Sequence, residues 1–186
     1  TVLGRVDLYL DPVTLEVVNS RAQLIELAPD ESRTNSALAL ACAELSSLSA
    51  AEMATEVGVL SQRLGRGRGT VSSAAGNWIT DIMRRRTGSD VAIQNRGGIR
   101  RDLEAGAVVR RDLFEILPFG NTLTTMELTG AELFATVESA MTDKNHSGIE
   151  FSGMTAIWDM DGEEIVLAGL LVAGAPVKMT SKYRLA

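Results

Sequence analysis

Residues 95–100, NRGGIR, combine residue types that suit the binding of a polar or anionic ligand. They follow a short apolar stretch and place Gly97 and Gly98 before Arg100. Adjacent glycines permit positive φ angles and let the backbone approach a ligand closely, and exposed amides at such a turn form a concavity that binds anions. The Arg100 guanidinium can donate paired hydrogen bonds to a carboxylate or a phosphate. The alternative is a glycine turn whose arginines are simply exposed.

A second group, residues 117–121 with the sequence LPFGN, could present a flat apolar surface. Pro118 restricts the backbone, and Phe119 lies between it and a glycine in a predicted loop. A phenylalanine in such a loop can face outward and stack on a nucleobase. The alternative is a ring that packs in the core. Asn121 could hydrogen-bond to a ligand or cap the turn.

The charge of the chain is unevenly distributed. The net charge is −6, but residues 63–111 carry eleven arginines and four acidic residues, a net charge of +7, and the remainder carries −13. A basic segment in an acidic chain favours one site for an anionic ligand over a broad nucleic-acid-binding face. Arg84, Arg85 and Arg86 are instead expected at the C-terminus of a helix, where cations interact favourably with the helix dipole.

Cysteine and histidine are too scarce for several kinds of site. Cys42 and His146 are the only residues of their types, which excludes a disulfide framework and a Cys/His zinc cluster. Cys42 lies in the sequence ALALACAEL and is expected to be a buried, small apolar residue. His146 lies in the polar sequence TDKNHSGIE and is expected in an exposed loop. A Ser-His-Asp triad would have to use it, but no G-x-S-x-G turn accompanies it. No run of 18 apolar residues is present, so no membrane span is expected.

The residue pattern predicts an α/β fold of mixed strands and short helices. Strands are expected at 2–28, at 54–64 before the Gly/Arg loop 65–73, in SDVAIQN and TLTTMELT, and across 149–186. Helices are expected at 32–49 with Ser32 or Asn35 as the cap, at 73–86, at 111–116 and at 130–143. The second of these helices is expected to bury one face, made of Trp78, Ile79, Ile82 and Met83.

The segment 74–140 is similar to the C-terminal domain of the 5'-nucleotidase family. It contains, in the family's order, Gly-Asn at a helix start, N-x-G-G-I-R after a strand, an L-x-x-G step, a short acidic helix, L-P-F-x-N, and L-T-G opening a helix. Each motif alone is a weak signal, and the ordered set is a strong one. The sequence GRVDLYLDPVTLEVV also resembles the last strands of the family's metallophosphoesterase domain, and IEFSGMTAIWDMDG resembles a later strand.

The resemblance implies a fold and a domain plan. The fold is the layered α/β/β/α type with mixed sheets. Residues 1–30 would be the terminal strands of a metallophosphoesterase domain, 31–53 a linker helix, and 54–186 the C-terminal domain, truncated at its end. In such enzymes the N-terminal domain holds two divalent metal ions of the zinc or manganese type and the catalytic His-Asp pair. No catalytic residue and no metal ligand is therefore expected in this chain, which should be inactive alone.

The resemblance also assigns a nucleotide site. In the family, arginines and an asparagine contact the ligand's polar groups and two aromatic rings enclose the base; Phe119 matches the first ring. An arginine before the Gly-Asn helix also contributes, and Arg68 is its nearest match, with Arg66 as the alternative. The implied substrate-binding residues are Arg68, Asn95, Gly97, Gly98, Arg100, Phe119 and Asn121.

Two features depart from the family pattern. Arg96 stands where the family usually has another glycine, and a bulky cation there could alter how closely the loop meets its ligand. In the family, the strand matched by KYRLA leads to a Gly-Gly-Asp-Gly loop that carries the second ring and an acid. That loop is not in these 186 residues.

The implied function is the substrate-binding part of a 5'-nucleotidase-type phosphoric monoester hydrolase of nucleotide catabolism, periplasmic or extracellular. The expected partners are a small nucleotide or nucleoside and the N-terminal metallophosphoesterase domain. Nucleic acid is not expected, because the chain is acidic outside one segment. Within the family the alternative substrates are a nucleotide sugar such as a UDP-sugar, a 2',3'-cyclic nucleotide or a sulfur-carrier conjugate. The alternative of a different class is a non-catalytic nucleotide-binding module.

Overall fold

A computed structural model describes residues 2–27, 35–67, 72–142, 148–162 and 164–186. Arg68 and His146, both interpreted from the sequence, lie outside these residues, and so does Ser32. The chain divides into two compact units, Thr1–Ser49 and Ala50–Ala186, and each is described by itself.

The first unit begins with a hairpin of two antiparallel strands, β1 (Val2–Leu10) and β2 (Val17–Glu26). The helix α1 (Ser36–Met53) follows and ends beyond the predicted boundary at residue 49. Its cap is Asn35, one of the two predicted candidates, whose Oδ1 accepts a hydrogen bond from the Leu38 N–H at 3.1 Å.

Cys42 is exposed on α1, so the prediction that it is buried is wrong. Alanine and leucine occur on all sides of this helix, which is why the sequence suggested burial. Burial also requires a partner surface, and no residue of α1 is buried in the described structure. Among the described residues, no helix has both the length and the apolar character that crossing a bilayer requires.

The second unit alternates strands and helices, which confirms the predicted mixed α/β class. The elements in chain order are β3 (Glu56–Leu60), α2 (Ala74–Thr87), β4 (Ala92–Asn95), β5 (Gly106–Val109), α3 (Arg110–Ile116), β6 (Met126–Thr129), α4 (Gly130–Thr142), β7 (Ile149–Ser152), β8 (Met154–Asp161), β9 (Glu164–Val172), β10 (Ala175–Pro176) and β11 (Lys182–Leu185).

The strands of the second unit form short antiparallel sheets. In these sheets β3 pairs with β5, β4 with β7, β6 with β11, and β9 with both β8 and β10. A parallel bridge between Val91 and Leu185 brings β4 beside β11.

Helix α2 begins and ends as its sequence predicts. The Ser73 Oγ accepts the Gly76 N–H at 2.9 Å, and Gly88 ends the helix in the left-handed conformation at φ 64°. Its last turn carries the three arginines at 84–86, as predicted. These signals are local, so they could be read without knowledge of the tertiary structure.

The buried face of α2 differs from the predicted one. Ile79 is buried, but Ile82 is 41% exposed, and the small residues Ala75, Gly76 and Thr80 are buried instead. Small side chains on this face allow α2 to lie close to β7. The helix therefore buries the face that admits a strand, which an apolar pattern alone does not reveal.

Two clusters form the core of the second unit. The first lies between α2, α3 and the segment that follows β4, and the second lies between α4, β9 and the start of β4. The first cluster consists of Leu64, Ala75, Ile79, Ile99, Leu103 and Ile116. The second consists of Val91, Leu133, Val137, Leu167, Leu170 and Val172.

Candidate functional site

The turn after β4 is the centre of the candidate site. Residues 96–98 form one turn of 3-10 helix, in which the Ile99 N–H donates to the Arg96 carbonyl at 3.0 Å. Gly98 does not have a positive φ angle, contrary to the reason given for it from the sequence. It allows close approach instead, because a Cβ there would lie 2.5 Å from Gln94 Nε2 and 2.9 Å from Asn95 Oδ1, at the ends of two side chains.

The structure brings Arg100 and Phe119 together. The Arg100 guanidinium carbon lies 5.7 Å from the centre of the Phe119 ring, a cation–π distance. Arg100 is held by two further bonds, from its Nη1 to the Gly97 carbonyl and from its N–H to the Ile116 carbonyl, both at 2.9 Å. The Phe119 ring is 56% exposed, so it faces outward and does not pack in the core.

Two adjoining hollows lie beside this pair. The first, of about 200 Å³, is lined by Phe119, Asn121 and Gln94, together with side chains of α2. The second, of about 360 Å³, is lined by Asn95, and the two hollows share Gln94 and Asn121. Four residues expected from the sequence therefore lie on or beside one concave surface, since Arg100 stacks on the ring that lines it.

Gln94 and Met83 line both hollows and were not anticipated from the sequence. Gln94 is a polar residue next to Asn95 in the second half of β4, which is a weak signal that could have singled it out. Met83 follows Ile79 by one helical turn and was assigned to the core. Its side chain is half-buried, so it serves both the core and the wall of the hollow.

The loop before α2 is tied to the segment after Arg100. Leu64 and Leu103 exchange two backbone hydrogen bonds, of 2.8 and 3.0 Å. The Arg66 N–H donates to Asp102 Oδ1 at 2.7 Å, and the Arg66 side chain donates to the Ile99 carbonyl at 3.3 Å. Arg66 thus donates hydrogen bonds to residues on both sides of Arg100, namely Ile99 and Asp102.

Asp102 accepts hydrogen bonds from both Arg66 and Arg63. The backbone bond from Arg66 is the main cause that lowers the pKa of Asp102, and the charge of the Arg63 guanidinium lowers this pKa further. The carboxylate therefore contributes stability above its ordinary pKa of 3.8, and this contribution is lost as the pH falls through the lowered value.

Asp102→Asn is expected to destabilise the chain at neutral pH, with a difference from the wild type that shrinks as the pH falls below 3.8. The measurement is the free energy of unfolding in urea as a function of pH for both proteins. Asp161→Asn, at the exposed end of β8, is the control and should change little at any pH. A difference that stays constant with pH would contradict the role given to the Asp102 charge.

Because Arg96 departs from the family pattern, its bulk was expected to affect how closely the turn meets a ligand. In the structure, Arg96 does not crowd the ligand side of the turn. It is buried, and its Nε donates to Glu150 Oε1 at 3.0 Å. Glu150 is completely buried and also accepts the Ser73 N–H at 3.0 Å and the Ser73 hydroxyl at 2.9 Å. Sequence reasoning missed Glu150, although an acid between two apolar residues of a strand was a signal for a buried partner.

Arg68 is the one expected site residue whose position cannot be compared with the others, since it lies outside the described residues. Within the described ranges, no group of three or more His, Cys, Asp and Glu side chains is arranged to hold a metal ion. The arrangement that is described suits recognition of a ligand with one flat face and polar or anionic groups.

One family model and several known proteins are similar to this chain. The family model described as 5'-nucleotidase, C-terminal domain, matches residues 52–186. Protein UshA from Escherichia coli (strain K12) is 30% identical over 118 residues, which are 62% of this chain and 21% of that protein. Endonuclease YhcR from Bacillus subtilis (strain 168) is 29% identical over 164 residues, which are 86% of this chain and 13% of that protein.

A solved structure shows the same fold. The crystal structure of a 5'-nucleotidase precursor from Thermus thermophilus matches 99% of this chain with a TM-score of 0.71 and 25% identity. The match covers 39% of that structure. The chain therefore spans well under half the length of these relatives.

Proposed function

This chain belongs to the 5'-nucleotidase C-terminal domain family, and from this premise we propose that it binds the nucleotide substrate of a 5'-nucleotidase-type phosphohydrolase. The observation that carries the proposal is the exposed Phe119 ring beneath the Arg100 guanidinium, at the edge of a hollow lined by Asn121. The ring offers a stacking face to a base, and the arginine and the amide offer donors to polar groups of the ligand.

Each proposed contact residue has a chemical reason for its place. Asn95 ends β4 at the second hollow, where its side-chain amide can hydrogen-bond to a sugar or base. Gly98 lets the turn fold back against Asn95 and Gln94. The Gly97 carbonyl orients the Arg100 guanidinium. Arg68 stays in the proposal on the family match alone.

Catalysis is proposed to reside in another domain of a longer enzyme. The family match links this chain to metallophosphoesterases, whose two divalent metal ions would stabilise an in-line displacement at phosphorus. The described residues offer no cluster of metal ligands. The family match begins at residue 52. Residues 1–30 are proposed to be strands of the metallophosphoesterase domain, and residues 31–53 a linker helix that reaches the start of this match.

We also propose, from the family alone, that the protein works outside the cytoplasm, in the periplasm or at the cell surface. The exact substrate would be identified by screening a panel of candidate ligands for binding. A UDP-sugar and a 2',3'-cyclic nucleotide belong in it beside AMP and adenosine, because a stacking ring and an arginine would accept any of these ligands.

Arg100→Ala and Phe119→Ala are each expected to weaken nucleotide binding by about tenfold or more. Loss of a base-stacking ring costs about 1–3 kcal/mol, and loss of a hydrogen bond to a charged group costs about 1.5–3 kcal/mol. The measurement is a thermal-shift screen over the panel, followed by calorimetric titration with the best ligand.

The chain supplies matched controls for both substitutions. Phe114 is 57% exposed, close to the value for Phe119, and does not line the hollows. Arg86 is an exposed arginine in the last turn of α2. Phe114→Ala and Arg86→Ala should leave the affinity unchanged, and equal losses in test and control variants would place the site elsewhere.

A further inference from the structure

We propose that the buried ion pair between Arg96 and Glu150 positions the ligand site, by holding the turn 96–98 in the orientation that presents Asn95 and Arg100. The inference rests on the nucleotide-binding function proposed above. It adds two residues that do not line either hollow and that act through their neighbours.

The Glu150 carboxylate is held in place by burial and by hydrogen bonds. Glu150 is fully buried in β7, and both of its oxygens accept hydrogen bonds from Ser73 at the start of α2. A Cβ at Gly76 would overlap the Glu150 side chain at well under 3.0 Å, so the carboxylate is tightly enclosed. Removing the partner of a buried charge is strongly destabilising, so the carboxylate favours a structure in which Arg96 stays beside it.

Arg96 connects the Glu150 carboxylate to the turn 96–98. Arg96 is the first residue of the turn, and its Nε donates to Glu150 at 3.0 Å. Its backbone N–H donates to the Gly148 carbonyl at 3.1 Å, and its carbonyl accepts from Ile99 at 3.0 Å. The side chain and the backbone of Arg96 therefore both tie the turn to the segment 148–150.

The turn contacts two residues of the candidate site, Arg100 and Asn95. The Gly97 carbonyl accepts the Arg100 Nη1 at 2.9 Å, and Gly98 lies against the side-chain oxygen of Asn95. A shift of the turn would therefore move the Arg100 guanidinium and the Asn95 amide together. Small displacements of this kind change recognition, because charge-assisted hydrogen bonds depend on geometry.

The test is a double-mutant cycle in the intact enzyme, with AMP binding measured by calorimetry. Arg96→Met keeps the apolar stem, removes the guanidinium, and is expected to weaken AMP binding about tenfold. Because Arg96 acts partly through Arg100 and partly through Asn95, adding Arg96→Met to Arg100→Ala is expected to weaken binding less than in the wild type, by about threefold. Additive losses would overturn the proposal, and so would an unchanged affinity in Arg96→Met alone.

A control separates positioning from a general loss of stability. Leu167→Ala removes a buried side chain of the second core cluster, and Leu167 lines neither hollow. It is expected to lower the melting temperature and leave the AMP affinity unchanged. A loss of affinity in Leu167→Ala as large as that in Arg96→Met would show that reduced stability alone weakens binding, and would contradict positioning.

Amide hydrogen exchange tests the inference without a ligand. In Arg96→Met the amides of Ile99 and Arg100, which donate to the Arg96 and Ile116 carbonyls, are expected to exchange at least about tenfold faster. The Leu103 amide, bonded to Leu64, should be unchanged. If the wild type binds no nucleotide, the proposed function fails and this exchange result still decides the inference; unchanged exchange at both amides overturns it.

Discussion

Glu150→Ala is expected to lower the free energy of unfolding by about 3–5 kcal/mol, because it breaks the buried ion pair by removing the carboxylate that Arg96 contacts. Both side chains are almost completely inaccessible, at 7% exposure for Arg96 and 0% for Glu150. The substitution also removes the acceptor for two Ser73 donors at the start of α2. The measurement is urea denaturation followed by circular dichroism, with a matching fall in the melting temperature of roughly 10 °C.

Two further variants make this result specific. Glu164→Ala, at the exposed start of β9, removes the same side chain from the surface and should cost less than about 0.5 kcal/mol. The double variant Arg96→Met/Glu150→Gln removes both charges, and it should be less destabilised than Glu150→Ala because both members of the ion pair are replaced together. A loss below about 1 kcal/mol in Glu150→Ala would mean that the pair is not buried in solution.

Gly153→Ala is the second substitution with a large expected effect. Gly153 lies between β7 and β8 at φ 84°, and a Cβ there would overlap the Asp90 carbonyl at well under 3.0 Å and lie 2.7 Å from Arg84 Cδ. The φ angle costs about 1–2 kcal/mol for a residue other than glycine, and overlap with the backbone adds about 1–3 kcal/mol. A total loss of about 2–5 kcal/mol in the free energy of unfolding is therefore expected.

Gly174→Ala is a matched control for the steric part of this cost. Gly174 has nearly the same angle, φ 80°, but a Cβ there would meet nothing within 4 Å. The difference between the two variants in urea denaturation isolates the overlap with Asp90, whose segment leads into β4 and the site. Equal losses in both would mean that the backbone around Gly153 relaxes freely.

Local sequence signals predicted the helices of the second unit well. Capping by Ser73, termination at Gly88 and the stop after α3 depend only on neighbouring residues, so their boundaries could be read within one or two positions. The strands were predicted less exactly: β3 and β6 are shorter than the apolar alternation suggested. Strand length depends on a partner strand, which the local pattern does not contain.

The two errors in burial share one cause. Cys42 lies in an apolar stretch of the sequence and Ile82 lies on the apolar face expected for α2, yet both are exposed. Apolar character states what a side chain prefers, whereas burial requires a surface that reaches it. For α2 that surface is β7, which selects the small residues as the buried face.

The sequence alone determined the family, the mixed α/β class and the residue types of the candidate site, because ordered motifs and capping signals are written in neighbouring positions. Only the tertiary structure decided that Arg100 lies over Phe119, that Arg96 turns inward, and that Glu150 receives it. Glu150 meets Ser73 across 77 residues and Arg96 across 54. Such pairings depend on how strands and helices pack, and packing is a property of the whole chain that no short stretch specifies.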